Sequence, residues 1–322
     1  MTHYWIERPR LNGKDADEWK PSDPAEAAAN IDKWYSEGRL LFPRDVLQHV
    51  RDQLRKPLVR GDTILVQAFD GSVYDYSVRT GETRSLYSRI TEDDSDGAQD
   101  KEEKWMMTTP AIRYTSIESL KADLEWSLSR AYCSIGLSHF MVRVDTEPEP
   151  PGDLDAGLKF FNSVFEEWKG SEAWRDIKST VLSLRLRTQI HKVIGMACGE
   201  FTGPGPSRLK RHAVQHVLLL LLKEALQVGH LGAKNVACYA QDPAYTSTDQ
   251  SVLERSGITV AEDPGGFLEM DNRSLVFSCA PNICVKQIIA DTVRPPIMFL
   301  CTVREDESRL ITYVYSTHHS QY

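Results

Sequence analysis

The residues whose types could do chemistry fall at the ends of short apolar runs. After "KVIGMA" stand Cys198, Gly199 and Glu200, and after "AKNVACYA" stand Gln241, Asp242, Pro243 and Tyr245. The run "ITVA" leads to Glu262, Asp263 and Pro264, and "RSLVFS" leads to Cys279, Pro281 and Asn282. Cys198 is the candidate nucleophile, since a thiolate at a strand end is stabilised by a following helix N-terminus. The plain alternative is a buried structural thiol. Tyr245 could donate a hydrogen bond or join in proton transfer; packing is its alternative. Asp242 before Pro243 either faces a ligand or braces a turn.

A second group is cationic. Arg185, Arg187, Lys192, Arg208, Lys210 and Arg211, with His191 and His212 among them, are opposed only by Glu200. Cations in a helix's first turn oppose the macrodipole, and the same helix end is a natural phosphate site. The choice is between a phosphate or RNA contact and a solvated face.

Nucleotide motifs are missing. Gly195, Gly199, Gly203 and Gly205 do not have GxGxxG spacing, and GxxxxGK[ST] does not occur. The histidines show no HExxH spacing, and the cysteines include no CxxC. No metal and no cofactor is expected, nor is a structural zinc or a disulfide framework.

The elements that must position these residues can be read from periodicity. "NIDKWYSEGRLLF" and "PRDVLQHVRDQLRK" carry helical spacing, and "DTILVQAFDGSVYDYSV" reads as a hairpin turning at Asp70-Gly71. From residue 154 onward helices alternate with near-continuous apolar strands, as in a parallel sheet covered on both faces. "SEAWRDIKSTVLSLRLRTQ" reads as one helix, Ser207 as the N-cap of a long helix, and "RLITYVY" as a possible last strand. The expected fold is therefore α/β: a Rossmann-like parallel sheet flanked by helices over 151–322, with an α+β region over 1–150. The acidic stretch 92–104 reads as a solvated loop, and the Pro- and acid-rich stretch 145–155 as a linker. In such a sheet the ligand sits beyond the carboxyl ends of the strands.

Composition sets outer limits. The chain has 322 residues, 41% hydrophobic and 26% charged, which excludes a mainly disordered or collagenous protein. A net charge of −8 argues against general nucleic-acid packaging, so no DNA partner is expected. The longest aliphatic run, Val217 to Leu222, falls far short of the about 20 residues a membrane span needs. The opening "MTHYWIERPR" has no apolar signal core. A cytoplasmic protein without membrane contact is the expectation.

The glycine turn, then "YAQDPAYTSTDQSVLERSGITV", then "LVFSCAPNICVKQII", resembles the sensitivity-to-red-light-reduced (SRR-like) domain family over about residues 180 to 300. Asp242-Pro243, followed by Asp249, Leu253 and Gly257, is its most specific part. Many members end the fourth strand with Pro-His-Cys; here Ala280-Pro281-Asn282 stands, which looks like the fungal branch. The size and organisation are also similar to fungal arginine-containing cyclodipeptide synthases of secondary metabolism. That second resemblance implies a transferase condensing arginyl-tRNA with another aminoacyl-tRNA. The charged tRNA carries an activated ester, so no ATP site is required. On this reading Cys198 and Tyr245 are catalytic. Glu200, Asp242, Glu262 and Asn282 bind substrate, a carboxylate pairing with the planar guanidinium. Arg185, Arg187, Arg208, Lys210 and Arg211 hold tRNA. The first resemblance alone implies a non-catalytic regulatory or interaction protein.

Overall fold

A computed structural model describes residues 3–11, 23–90, 99–145, 152–203, 206–229, 231–279 and 281–301. The first half contains β1 (His3–Ile6), β2 (Arg10–Leu11), α1 (Pro24–Ser36), α2 (Arg44–Leu54), β3 (Thr63–Gln67), β4 (Val73–Ser77), β5 (Thr83–Ile90), β6 (Gln99–Tyr114), α3 (Ile117–Ala122) and β7 (Ile135–Arg143). The second contains α4 (Leu154–Lys169), α5 (Glu172–Ser183), β8 (Ile190–Met196), α6 (Pro206–Val228), β9 (Gly232–Gln241), α7 (Ser247–Arg255), β10 (Thr259–Val260), α8 (Gly265–Glu269), β11 (Ser274–Ser278), α9 (Val285–Thr292) and β12 (Ile297–Leu300).

The first half is antiparallel. One sheet runs β1-β7-β6-β5, and a smaller one runs β2-β4-β3. The expected hairpin is there: β3 and β4 pair from Thr63↔Ser77 to Gln67↔Val73, and Gly71 turns the chain at φ 93°. α2 buries Val46, Leu47 and Val50 on one face. The acidic stretch is not a loop throughout, because Gln99 to Lys104 pair with β5. Cross-strand pairs such as Glu103 with Arg143 absorb part of its charge. Residues 91–98 lie outside the described set, as do 146–151 of the expected linker.

The second half carries one five-stranded sheet, parallel throughout, in the order β10-β9-β8-β11-β12. Counted from β8 the order is 3-2-1-4-5. Its apolar strands alternate between two separate cores. Val193, Cys238, Ala240, Leu275 and Phe277 face the helices α4 to α7. Ile194, Met196 and Val276 face the other way, into a core they share with Leu41, Phe42, Leu47 and Tyr114 of the first half. The amino-terminal region thus covers one face of the parallel sheet together with α8 and α9. At about 1.5–3 kcal/mol for each large side chain fully buried, this shared core is a main source of stability.

Polar contacts fix the same junction. Arg44 donates to the carbonyls of Phe267, Leu268 and Met270, occupying acceptors that the short α8 leaves open at its end. Asp291 Oδ2 accepts from the backbone N–H of Leu41 and Phe42 at 2.7 and 3.0 Å. The Ile117 N–H donates to Gln287 Oε1 at 3.1 Å.

Three local expectations shift. The helix read over 171–189 stops at Ser183, where Leu184 turns to an extended conformation. The long helix starts at Pro206, so Ser207 lies inside its first turn rather than at its N-cap. "RLITYVY" lies outside the described residues.

Candidate functional site

The carboxyl end of β8 is built around an unusual turn. Ala197 adopts φ 55°, sparsely populated for a residue with a side chain, and Gly199 adopts φ 80°. Gly199 is needed for space as well. A Cβ there would meet His212 Nδ1 at 2.5 Å. The turn is then pinned from the neighbouring strand end. Asp242 Oδ2 accepts from the Gly199 N–H at 2.6 Å, and its Oδ1 accepts from the Ala244 N–H at 2.8 Å. Asp242 thus braces the turn, the second of its sequence alternatives. Burial pushes its carboxyl above the usual range, against the pull of these N–H donors and of His212.

Asp249 completes the clamp from the first turn of α7. Its Oδ1 accepts from the N–H of Phe201 and of Thr202 and from Thr202 Oγ1, at 3.0, 2.9 and 2.8 Å. Its Oδ2 accepts from the Thr246 N–H and hydroxyl, both at 2.8 Å, in a capping box. Asp249 is fully buried. Such a carboxylate persists inside because donors surround it.

Two histidines on α6 finish the arrangement. His212 Nδ1 donates to the Glu200 carbonyl at 2.6 Å, so in the neutral ring Nε2 carries the lone pair. His216 Nδ1 donates to the His212 carbonyl at 2.8 Å, and its Nε2 accepts from the Tyr245 hydroxyl at 2.7 Å. Burial drops His216 to about 4, which keeps it neutral. Phe201 closes the cluster between Phe161 and His216.

The nominated residues separate on this geometry. Glu200, Asp242 and Tyr245 do meet around one turn, with Cys198 beneath them. Cys198, however, is fully buried, and desolvation followed by the Asp242 charge pushes its thiol well above the ordinary value. A thiol so placed stays protonated, which is the packing alternative. The Tyr245 proton is committed to His216, and the residue is buried. Glu262 sits at the edge strand, two strands from β8, with a largely exposed side chain 3.9 Å from Arg55. Asn282 is exposed beyond β11.

The cations divide as well. Arg185 and Arg187 precede β8, at the amino end of the sheet, whereas Lys210 and Arg211 follow it on α6, at the carboxyl end. Lys192 is held by Glu269 and Asp271. Lys210 is exposed and pairs with Glu167 at 2.8 Å, and Arg211 is exposed. The Arg208 side chain lies outside the described set.

One residue the sequence did not nominate borders the same end. Tyr114 reaches Asp263, beyond β10. No local pattern around Tyr114 announces such a contact, because it depends on how the halves dock. Among the described residues, no group of three or more His, Cys, Asp or Glu side chains could hold a metal ion, and no helix is long and apolar enough to cross a membrane.

The family model for the SRR1 domain matches residues 174–318. The match takes in the parallel sheet from α5 onward and supports the SRR-like resemblance. No curated protein and no solved structure matches the chain.

Proposed function

We propose that the parallel sheet is a Rossmann-like unit of the fungal SRR-like branch, and that the chain is a tRNA-dependent cyclodipeptide synthase joining arginyl-tRNA to a second aminoacyl-tRNA. The observation that carries this reading is the clamped turn after β8. It stands where the strand order reverses between β8 and β11, the position at which open α/β sheets take their ligands. The cationic start of α6 leads away from the same turn and offers Lys210 and Arg211 to a tRNA phosphate.

The reaction on this reading is direct aminolysis, without an acyl-Cys198 intermediate. The amine of one aminoacyl group attacks the ester carbonyl of the other, forming an amide and releasing one tRNA 3′ hydroxyl. The remaining amine then attacks the second ester, closing the ring and releasing the second tRNA. His212, whose Nδ1 is held by the Glu200 carbonyl, is the base that takes the amine proton at Nε2. Glu200 pairs with the arginine guanidinium. Arg185, Arg187 and Glu262, which the fold sets apart from this turn, take no part.

A non-catalytic regulatory or interaction protein is the second reading. The observation favouring it is that the Cys198 thiol and the Tyr245 hydroxyl are both enclosed in the core. Expression in a bacterial host fed labelled arginine separates the two. The enzyme reading expects a labelled diketopiperazine in the medium. It also expects the purified protein to make this product from charged tRNA, and ribonuclease to abolish it. Soluble protein that yields no labelled product across hosts with different tRNA pools establishes the second reading.

A further inference from the structure

Cys279 and Cys301 are the residues directly after the last ladder pair of β11 and β12, Ser278↔Leu300. Adjacent strands lie about 4.8 Å apart, which puts in-register neighbours inside the Cα separation a disulfide accepts. Their sulfurs stand 3.5 Å apart. A bond between them needs the sulfurs to approach by about 1.5 Å.

Access separates this pair from three of the other thiols. Cys279 is exposed and Cys301 partly so, whereas Cys133, Cys198 and Cys238 are buried; Cys284 is partly exposed too, but burial pushes its thiol up to about 12. Burial and the adjacent Cys301 raise the Cys279 thiol, so closure speeds up as pH rises. The location has a consequence. Among the described residues β12 is an edge strand, and Cys301 directly follows it. β11, which Cys279 directly follows, borders the reversal in strand order.

We propose that Cys279 and Cys301 are a modification site, forming a reversible disulfide when the protein meets a hydroperoxide. The Cys279 thiolate attacks the peroxide O–O bond, giving a sulfenic acid and releasing an alcohol, or water from hydrogen peroxide. The Cys301 thiolate then attacks that sulfur and expels hydroxide, which takes up a proton as water. The two thiols lose two electrons and two protons in all, and the peroxide is the species reduced. A dithiol reverses the step. The pair would join β12 to β11 by a covalent link beside the strand-end turn, independently of what that turn binds.

The test uses the full chain, reduced and then titrated with hydrogen peroxide. Intact mass should fall by two hydrogens, and peptide mapping should find Cys279 joined to Cys301. Dithiothreitol should restore the mass. Amide exchange in β12 should slow at least tenfold on oxidation. In C301S, Cys279 should instead advance to sulfinic acid, and in C279S the mass loss should vanish. C301A repeats the test if the serine variant folds poorly. Cys279 advancing to sulfinic acid as fast in the wild-type chain as in C301S, with no linked peptide, would overturn the proposal.

Discussion

The hydroxyl of Tyr114 donates to Asp263 Oδ1 at 2.6 Å, joining the last residue of a long antiparallel strand to the carboxyl end of a parallel one. Gln241 Nε2 donates to the same oxygen at 2.7 Å. Burial raises the Asp263 carboxyl to about 7, against the lowering effect of both donors. An unfolded chain releases that proton at about 3.9. Between those values the folded state binds more protons, so stability falls as pH rises from about 4 to 7, by at most about 4 kcal/mol. Asp263→Asn keeps an oxygen for both donors and cannot ionise. Its denaturant midpoint should depend less on pH over that window and exceed wild type at pH 8. An unchanged slope would assign the pH dependence to other groups.

Replacing Asp249 by Ala strands buried donors on Phe201, Thr202 and Thr246. Unfolding in urea should show a loss of about 2–4 kcal/mol. Exchange of the Phe201 and Thr202 amides should rise more than exchange in β8. A loss below about 1 kcal/mol would mean that the turn holds without its clamp.

Gly199→Ala combines a left-handed φ with a Cβ at 2.5 Å from the His212 ring. Stability should drop by about 1–3 kcal/mol, and any ligand of the turn should bind more weakly. Cys198→Ala should cost a comparable amount through packing, yet leave product formation per folded molecule intact. Abolished turnover in a folded Cys198→Ala chain would return the thiol to the reaction.

Because one core spans both halves, thermal unfolding should give a single transition seen alike by near- and far-ultraviolet circular dichroism. Asp291→Ala leaves the Leu41 and Phe42 amides without their acceptor. It should lower stability by about 1–3 kcal/mol without splitting that transition. Two resolved transitions would mean that the halves melt separately.

The second half was legible because its elements announce themselves locally. Apolar runs such as "LVFS" bounded by turn residues mark buried strands, and Thr246 with Asp249 is a recognisable helix start. The Asp242 turn could be found because Asp-Pro restricts the chain. The antiparallel sheet was not legible. β6 opens with "QDKEEK", whose charge outweighs any strand signal, and only its pairing with β5 makes it a strand. Nor could the sequence place Cys198 or the cations. Burial of a cysteine at a strand end depends on what packs above it. The seven residues of β8 carry Arg187 and Lys210, near neighbours in sequence, to opposite ends of the sheet. The contact of Tyr114 with Asp263 is a tertiary event with no local trace.

The shared core also constrains the order of events during synthesis. Leu41 meets its partner Asp291 across 250 positions, and Tyr114 meets Asp263 across 149. When the first half leaves the ribosome, the strands that will cover Phe42, Leu47 and Tyr114 have not been translated. That apolar surface must wait for most of the chain, and such waiting surfaces are the ones that chaperones bind and that aggregate when crowded. Slow translation, or a stop before α9, should therefore leave a nascent chain that depends on holding factors far more than its finished form does.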